Sequence, residues 1–327
     1  MRSGAGAEEQ AATAEIATML DPEVKAFIAR SESFYPASAN TAGPADNRAT
    51  YDRMCAAFRV AYPQGVVAED MVLHARSPER ELRLRRYRPA SGPSGVALLY
   101  LHGGGFVLGG LDSHDDVCAE LCAKAGIEVA ALDYRLSPEH PYPAALDDSE
   151  AAFDHLAAAG YEVIVGGDSA GGNLTAALCL RRRRRGQRMP SGQLLIYPGL
   201  GGDPARVVPS RNTYAPMLRA SDSQAYRGLY SKDFERLGKT DPEFAPLLAR
   251  DLAGLPAAAI FAAGIDPLRQ DAEDYAARLG AAGVPTLFRV EPGLVHGYLR
   301  ARHMSGAARR SFDEIAGALD LLAKGIA

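Results

Sequence analysis

Gly167, Ser169 and Gly171 stand at G-x-S-x-G spacing inside Val163-Ile164-Val165-Gly166-Gly167-Asp168-Ser169-Ala170-Gly171-Gly172-Asn173-Leu174. A short apolar run precedes the serine and a helical pattern follows it. That context suits a sharp strand-to-helix turn presenting a nucleophilic hydroxyl, with small residues on either side because the turn is tight. At such a helix N-terminus, backbone N–H groups favour developing negative charge. A second loop, His102-Gly103-Gly104-Gly105-Phe106, follows the apolar run that ends at Leu101. Its glycines let the backbone approach a ligand and turn N–H groups inward. The N–H groups of Gly103, Gly104 and Ala170 are the expected donors to a tetrahedral oxyanion. The spacing matches neither a Walker A loop nor a dinucleotide fingerprint.

A serine hydroxyl needs a base, and the base needs an acid to orient it. Among the seven histidines, His296 stands in Pro292-Gly293-Leu294-Val295-His296-Gly297, just past the last apolar run. His102 belongs to the glycine loop and His74 to a β-like run. His114 and His155 fall in helical or turn contexts, His140 in a proline-rich loop and His303 in the C-terminal helical region. Loops at strand C-termini are where parallel sheets place their chemistry, which favours His296. By the same argument the orienting acid is Asp266, in Gly264-Ile265-Asp266-Pro267-Leu268. Asp271 and Asp274 are assigned to a solvated helix face, and Glu291 is a minor alternative. The resulting order is Ser169, Asp266, His296, and the chemistry is nucleophilic acyl transfer without a metal or organic cofactor.

The elements that must position these groups follow from periodicity. Continuous apolar runs at Val96–Leu101, Ile127–Leu132, Val163–Val165, Leu194–Tyr197, Ala257–Ala262 and Thr286–Val290 read as buried parallel strands. Glu81 to Tyr87 alternates like an edge or half-exposed strand. Helical patterns at Val117–Ala125, Ala144–Ala159, Asn173–Arg185 and Asp271–Ala282 fall between them. The alternation predicts an α/β fold, a mostly parallel central sheet with helices on both faces. Ala11 to Arg30 reads as one helix, and Pro36 to Asn47 as a turn-rich connection. Gly201 to Gly238 is read as a helical insertion over the sheet, joined by the N-terminal helix as a lid. The expected division is a cap segment over 1–50 and a catalytic domain over 51–327, with 201–238 as an inserted cap segment.

At 327 residues and 47% apolar, the chain can bury one large core and is not disordered. A net charge of −4 argues against nucleic acid as partner. The arginine run Arg181–Arg185 is assigned to the solvated end of a helix, where it complements the dipole. Cys55, Cys118, Cys122 and Cys179 form no C-x-x-C pair and suit a reducing compartment. No membrane span or signal peptide is recognised, so a cytoplasmic protein acting on a small-molecule ester, compatible with a homodimer, is expected.

The sequence resembles the hormone-sensitive-lipase group of esterases, bacterial family IV. The resemblance rests on His102-Gly103-Gly104-Gly105, Gly167-Asp168-Ser169-Ala170-Gly171-Gly172, Asp266-Pro267-Leu268-Arg269 and His296-Gly297. Asp133-Tyr134-Arg135-Leu136-Ser137-Pro138-Glu139-His140 adds a further match, and together these motifs span about residues 80 to 320. Ser137 departs from the family's usual Ala, and Gln270 from its common Asp. The resemblance implies an α/β-hydrolase fold with a helical cap and hydrolysis of short- to medium-chain carboxylic esters. It gives His102, Asp168 and Glu139 supporting roles around the serine. An amidase or acyltransferase using the same residues is the alternative, and a non-catalytic ligand receptor on the same fold is a further one.

Overall fold

Residues 2–35, 43–76, 79–202, 207 and 209–326 are described in the computed structural model. Eight strands form one sheet: β1 (Val67–Arg76), β2 (Glu79–Arg88), β3 (Val96–Leu101), β4 (Glu128–Asp133), β5 (Glu162–Asp168), β6 (Gly192–Ile196), β7 (Ala258–Ile265) and β8 (Thr286–Val295). Their spatial order is β1-β2-β4-β3-β5-β6-β7-β8. The pairs from β4 through β3 to β8 are parallel, whereas β1/β2 and β2/β4 are antiparallel.

The helices are α1 (Arg2–Met19), α2 (Pro22–Glu32), α3 (Pro44–Phe58), α4 (Asp115–Ala125), α5 (Ala144–Ala158), α6 (Ala170–Arg184), α7 (Ala220–Tyr230), α8 (Phe234–Thr240), α9 (Arg269–Ala281) and α10 (Gly306–Ala323). Central strands are apolar throughout because both faces are covered. On β3, Leu98 and Tyr100 join the core that holds Val117 of α4 and Phe312 of α10, while Leu99 and Leu101 join the core that holds Phe153 of α5 and Leu174 of α6. The parallel strands therefore deliver their C-terminal ends to one rim, where the motif loops meet.

Several sequence expectations change. The helix expected over Ala11–Arg30 is two helices. Asp21 Oδ1 accepts from the Val24 N–H at 2.7 Å and Pro22 occupies the first turn, so the chain starts afresh there. Of the expected turn region Pro36–Asn47, residues 36–42 lie outside the described residues, and Pro44 to Asn47 already belong to α3. The β-like run around His74 is strand β1, which turns Met71, Leu73 and Ala75 toward the core and leaves Val67 and Val72 56% and 51% exposed. β8 continues past Val290 through Pro292-Gly293 to Val295, with a register irregularity against Ala263 and Ile265 of β7.

The arginine run is solvated only at its end: Arg184 and Arg185 are exposed, whereas the first two residues are not. Arg181 and Arg182 are each 3% exposed. Arg181 donates to Glu243 at 2.8 Å and to Asp147 at 2.6 Å. Arg182 donates to Asp154 at 2.8 Å and lies 4.1 Å over the Phe153 ring. The run therefore joins α5 and the segment after α8 to the end of α6.

The long crossover between β6 and β7 carries α7 and α8. The N-terminal helix reaches it through Glu15–Arg211 at 2.8 Å and Glu9–Arg219 at 2.7 Å. On α3, Arg48 donates to Val107 O and Ser137 O, both at 2.8 Å, and forks onto Glu139 at 2.9 and 2.6 Å. Among the described residues no helix is long and apolar enough to cross a membrane.

Candidate active site

Ser169 stands between β5 and α6 with φ 55° and ψ −115°, a conformation that costs a non-glycine residue on the order of 1 kcal/mol or more. Close packing holds it there. A Cβ on Gly167 would come within 2.1 Å of Leu101 O, and one on Gly171 within 1.7 Å of the same atom. Both glycines of the G-x-S-x-G motif are thus required by the approach of the β3 end.

The structure brings Ser169, His296 and Asp266 together. His296 Nε2 lies 2.9 Å from Ser169 Oγ and Nδ1 lies 2.7 Å from Asp266 Oδ2. With the carboxylate at Nδ1, that nitrogen carries the proton and Nε2 offers its lone pair to the serine. Asp266 is fully buried. Its other oxygen accepts the Leu268 N–H at 2.8 Å, which fixes the carboxylate plane. The alternative acids lie elsewhere. Glu291 pairs with Arg289 at 3.0 Å, and Asp274 accepts from Gln270 at 2.7 Å. Asp271, expected on a solvated face, instead accepts from the Leu200 and Gly202 N–H groups at 2.7 and 3.1 Å. Burial pushes its carboxyl up to about 6, against the pull of those two donors.

The glycine loop requires one correction. The Gly103 N–H donates to Asp168 Oδ1 at 2.9 Å and is not free to meet an oxyanion. The Gly104 carbonyl accepts from Val107 at 3.1 Å and Leu108 at 2.8 Å. Among the described residues no protein acceptor takes the N–H of Gly104, Gly105 or Ala170, and all three residues line the cavity. Ala170 is the first residue of α6, whose leading N–H groups have no intrahelical partner.

The supporting residues are placed as follows. Asp168 accepts from Tyr100 at 2.8 Å and Tyr197 at 3.2 Å, and its Oδ1 lies 3.3 Å from His114 Nε2. Burial alone would raise its carboxyl, but His114, Tyr100 and Arg300 together hold it below the usual carboxylate range. His102 Nδ1 meets Gly103 O at 2.8 Å and the ring stacks on Tyr134 at 4.2 Å. Burial and the neighbouring His114 lower its pKa to about 4, so it is neutral at pH 7. Glu139 is exposed and does not line the cavity over Ser169; it pairs with Arg48, which also donates to the Val107 and Ser137 carbonyls.

Asn212, Tyr100, Tyr197 and His114 were not anticipated as site residues. Asn212 Nδ2 donates to Gly264 O at 3.1 Å and Asp266 O at 3.0 Å. It comes from a short turn (Ser210–Tyr214) far along the chain, so nothing local marked it. His114 and the two tyrosines could have been suspected only as buried polar groups in search of partners.

A cavity of about 1500 Å³ opens over Ser169. Ile16, Leu20, Tyr35, Met217 and Tyr226 form much of its apolar wall. Among the described residues no three His, Cys, Asp or Glu side chains converge to hold a metal ion.

Residues 98–300 match the family described as having the alpha/beta hydrolase fold. The chain is 39% identical over 256 residues to the carboxylic ester hydrolase LipN of Mycobacterium tuberculosis, covering 74% of this chain and 67% of that protein. It is 31% identical over 289 residues to an arylesterase of Saccharolobus solfataricus, covering 86% and 92%. Among solved structures, an ester hydrolase from the metagenome of Lake Arreo, complexed with a bipyridine phosphonate derivative, superposes with TM-score 0.82 at 34% identity, covering 92% of this chain and 98% of that one. A hyperthermophilic esterase from Pyrobaculum calidifontis superposes with TM-score 0.80 at 29% identity, covering 92% and 98%.

Proposed function

The chain belongs to the alpha/beta hydrolase fold family and is a carboxylic ester hydrolase, and we propose that it cleaves short- to medium-chain carboxylic esters through Ser169, His296 and Asp266. The observation that carries this reading is the continuous relay of 2.9 and 2.7 Å contacts from Ser169 Oγ through His296 to Asp266 at the floor of the cavity. His296 takes the serine proton as Oγ attacks the ester carbonyl. Asp266 holds the ring and stabilises the imidazolium. The N–H groups of Ala170, Gly104 and Gly105 receive the oxyanion, with Gly105 replacing Gly103 in that role. The intermediate collapses as His296 protonates the departing alcohol. Water, deprotonated by the same nitrogen, then attacks the acyl-serine and releases the acid.

The N-terminal segment 1–50 and the insertion 201–238 act as the cap in this reading. Support comes from the residues of both segments that face the cavity. Its volume exceeds that of an ordinary small-ligand pocket, roughly 300–1000 Å³, which leaves room for medium chains.

The test is hydrolysis of p-nitrophenyl acetate, butyrate and decanoate by the wild type and Ser169→Ala. We expect turnover by the wild type and a loss of ~10³-fold or more in kcat for the variant. A folded wild type that turns over none of the three would overturn the reading.

A further inference from the structure

The wall contributed by α7 and α8 carries a cation that the ester chemistry does not use. Arg227, in the last turn of α7, lines the cavity with Gly238, Phe244 and Asp271. Its guanidinium carbon stands 5.7 Å from the centroid of the Phe244 ring. A Cβ on Gly238 would come within 2.3 Å of a terminal Arg227 nitrogen, so the absence of a side chain at 238 makes the slot for the guanidinium. Other arginines of the cavity are committed: Arg300 donates to Ser113 O and the Tyr51 hydroxyl, and Arg219 pairs with Glu9. Among the described residues no carboxylate pairs with Arg227 and no oxygen accepts from it. Asp271 is the charge that acts on it, but one Asp271 oxygen is already engaged by the two backbone N–H groups of the Leu200–Gly202 segment. Burial lowers the pKa of Arg227 from its ordinary value, which is so high that the group stays charged at neutral pH. Glu235 and Lys239, both exposed, also line the cavity and carry opposite charges.

A half-buried guanidinium with no carboxylate hydrogen-bonded to it is costly, and its planar fork matches a carboxylate. We propose that Arg227 recognises a carboxylate, and that the esters this enzyme prefers carry one on the arm reaching the α7–α8 wall. The proposal rests on the ester-hydrolase reading and adds the chemical class of substrate.

The experiment compares two substrate pairs. p-Nitrophenyl hemiglutarate against p-nitrophenyl valerate places the carboxylate on the acyl arm. para-Butyryloxybenzoate against phenyl butyrate places it on the leaving arm. Each pair is measured with the wild type, Arg227→Gln and Gly238→Ala, and the readout is the charged-to-neutral ratio of kcat/KM. We expect that ratio to fall about tenfold or more in Arg227→Gln for one pair, mainly through KM, with the neutral esters unchanged. Gly238→Ala keeps the net charge and favours its helix, yet displaces the guanidinium, so it should reproduce the loss. Equal ratios in all three proteins, with neutral esters turned over, would overturn the Arg227 proposal and leave the hydrolase reading intact. No turnover of any ester by folded wild type would overturn both.

Discussion

In the proposed mechanism Ser169 Oγ is a weak nucleophile until a base takes its proton, and His296, held at 2.9 Å from it and 2.7 Å from Asp266, stands where that base is needed. The residue beside it does less visible work. Asp168 gathers Tyr100, Tyr197, His114 and the Gly103 N–H around one buried carboxylate, and so joins the glycine loop to the serine turn. Because its folded-state pKa is depressed, this contribution to stability is present above the unfolded carboxylate value of about 4 and drains as pH falls below it. Replacing Asp168 by Asn keeps the shape but removes the charge facing His114. We expect Asp168→Asn to lose on the order of 3 kcal/mol of stability at neutral pH and to lower kcat more than it raises KM. The gap to wild type should narrow in acid. Urea unfolding near neutral pH and in acid, with steady-state kinetics, checks this. A constant gap across pH would mean that the carboxylate charge is not what matters.

At the scale of elements, the acid of the relay is held from outside its own strand. The turn Ser210–Tyr214, within the crossover from β6 to β7, sends Asn212 to the carbonyls of Gly264 and Asp266. Loss of that donor takes a bond from both carbonyls, although Asp266 O still accepts the Arg269 N–H at 3.2 Å, and costs about 1–3 kcal/mol. Asn212→Ala is therefore expected to fold with a reduced Tm and a reduced kcat on every ester, short or long, because the Asp266 loop is freed. A normal kcat with a reduced Tm would show that the turn serves stability alone. The same scale explains what periodicity missed. Asp21 and Pro22 restart a helix inside an unbroken apolar pattern, and β1 puts apolar residues on both faces, Val67 and Val72 outward and Met71, Leu73 and Ala75 inward, which blurs its period.

Across the whole molecule, the N-terminal segment, the crossover and the sheet rim meet over one cavity. Ile16 reaches it from α1 and Leu20 from the bend before α2, Met217 and Tyr226 from the crossover, and Gly104, Ser169 and His296 from the sheet rim. Of α1, Ala12 and Ile16 are the residues buried among those described, so its removal sacrifices little core. A chain beginning at Asp21 should stay folded, retain most of its kcat/KM on p-nitrophenyl acetate, and raise KM for decanoate, whose chain needs the lost wall. Circular dichroism with the two KM values decides it. A uniform loss on both esters would assign α1 to the catalytic geometry instead.

Much of the site was written locally. A nucleophile turn requires glycines within two residues of the serine, a glycine loop announces itself by composition, and apolar runs mark strands buried on both faces. The sequence alone therefore determined the fold class and pointed to the serine and loops of the proposed site, since each depends on neighbours along the chain. Tertiary structure decided which N–H groups remain available. Gly103 and Gly104 are identical in type and adjacent, and only the approach of Asp168 distinguishes them. It also buried the first two of five consecutive arginines, Arg181 and Arg182, as links between elements, and brought Asn212 and Arg227 to a site from which they are distant in sequence. Those outcomes depend on which partners arrive from elsewhere in the chain, and no spacing rule encodes a partner that folding has yet to bring near.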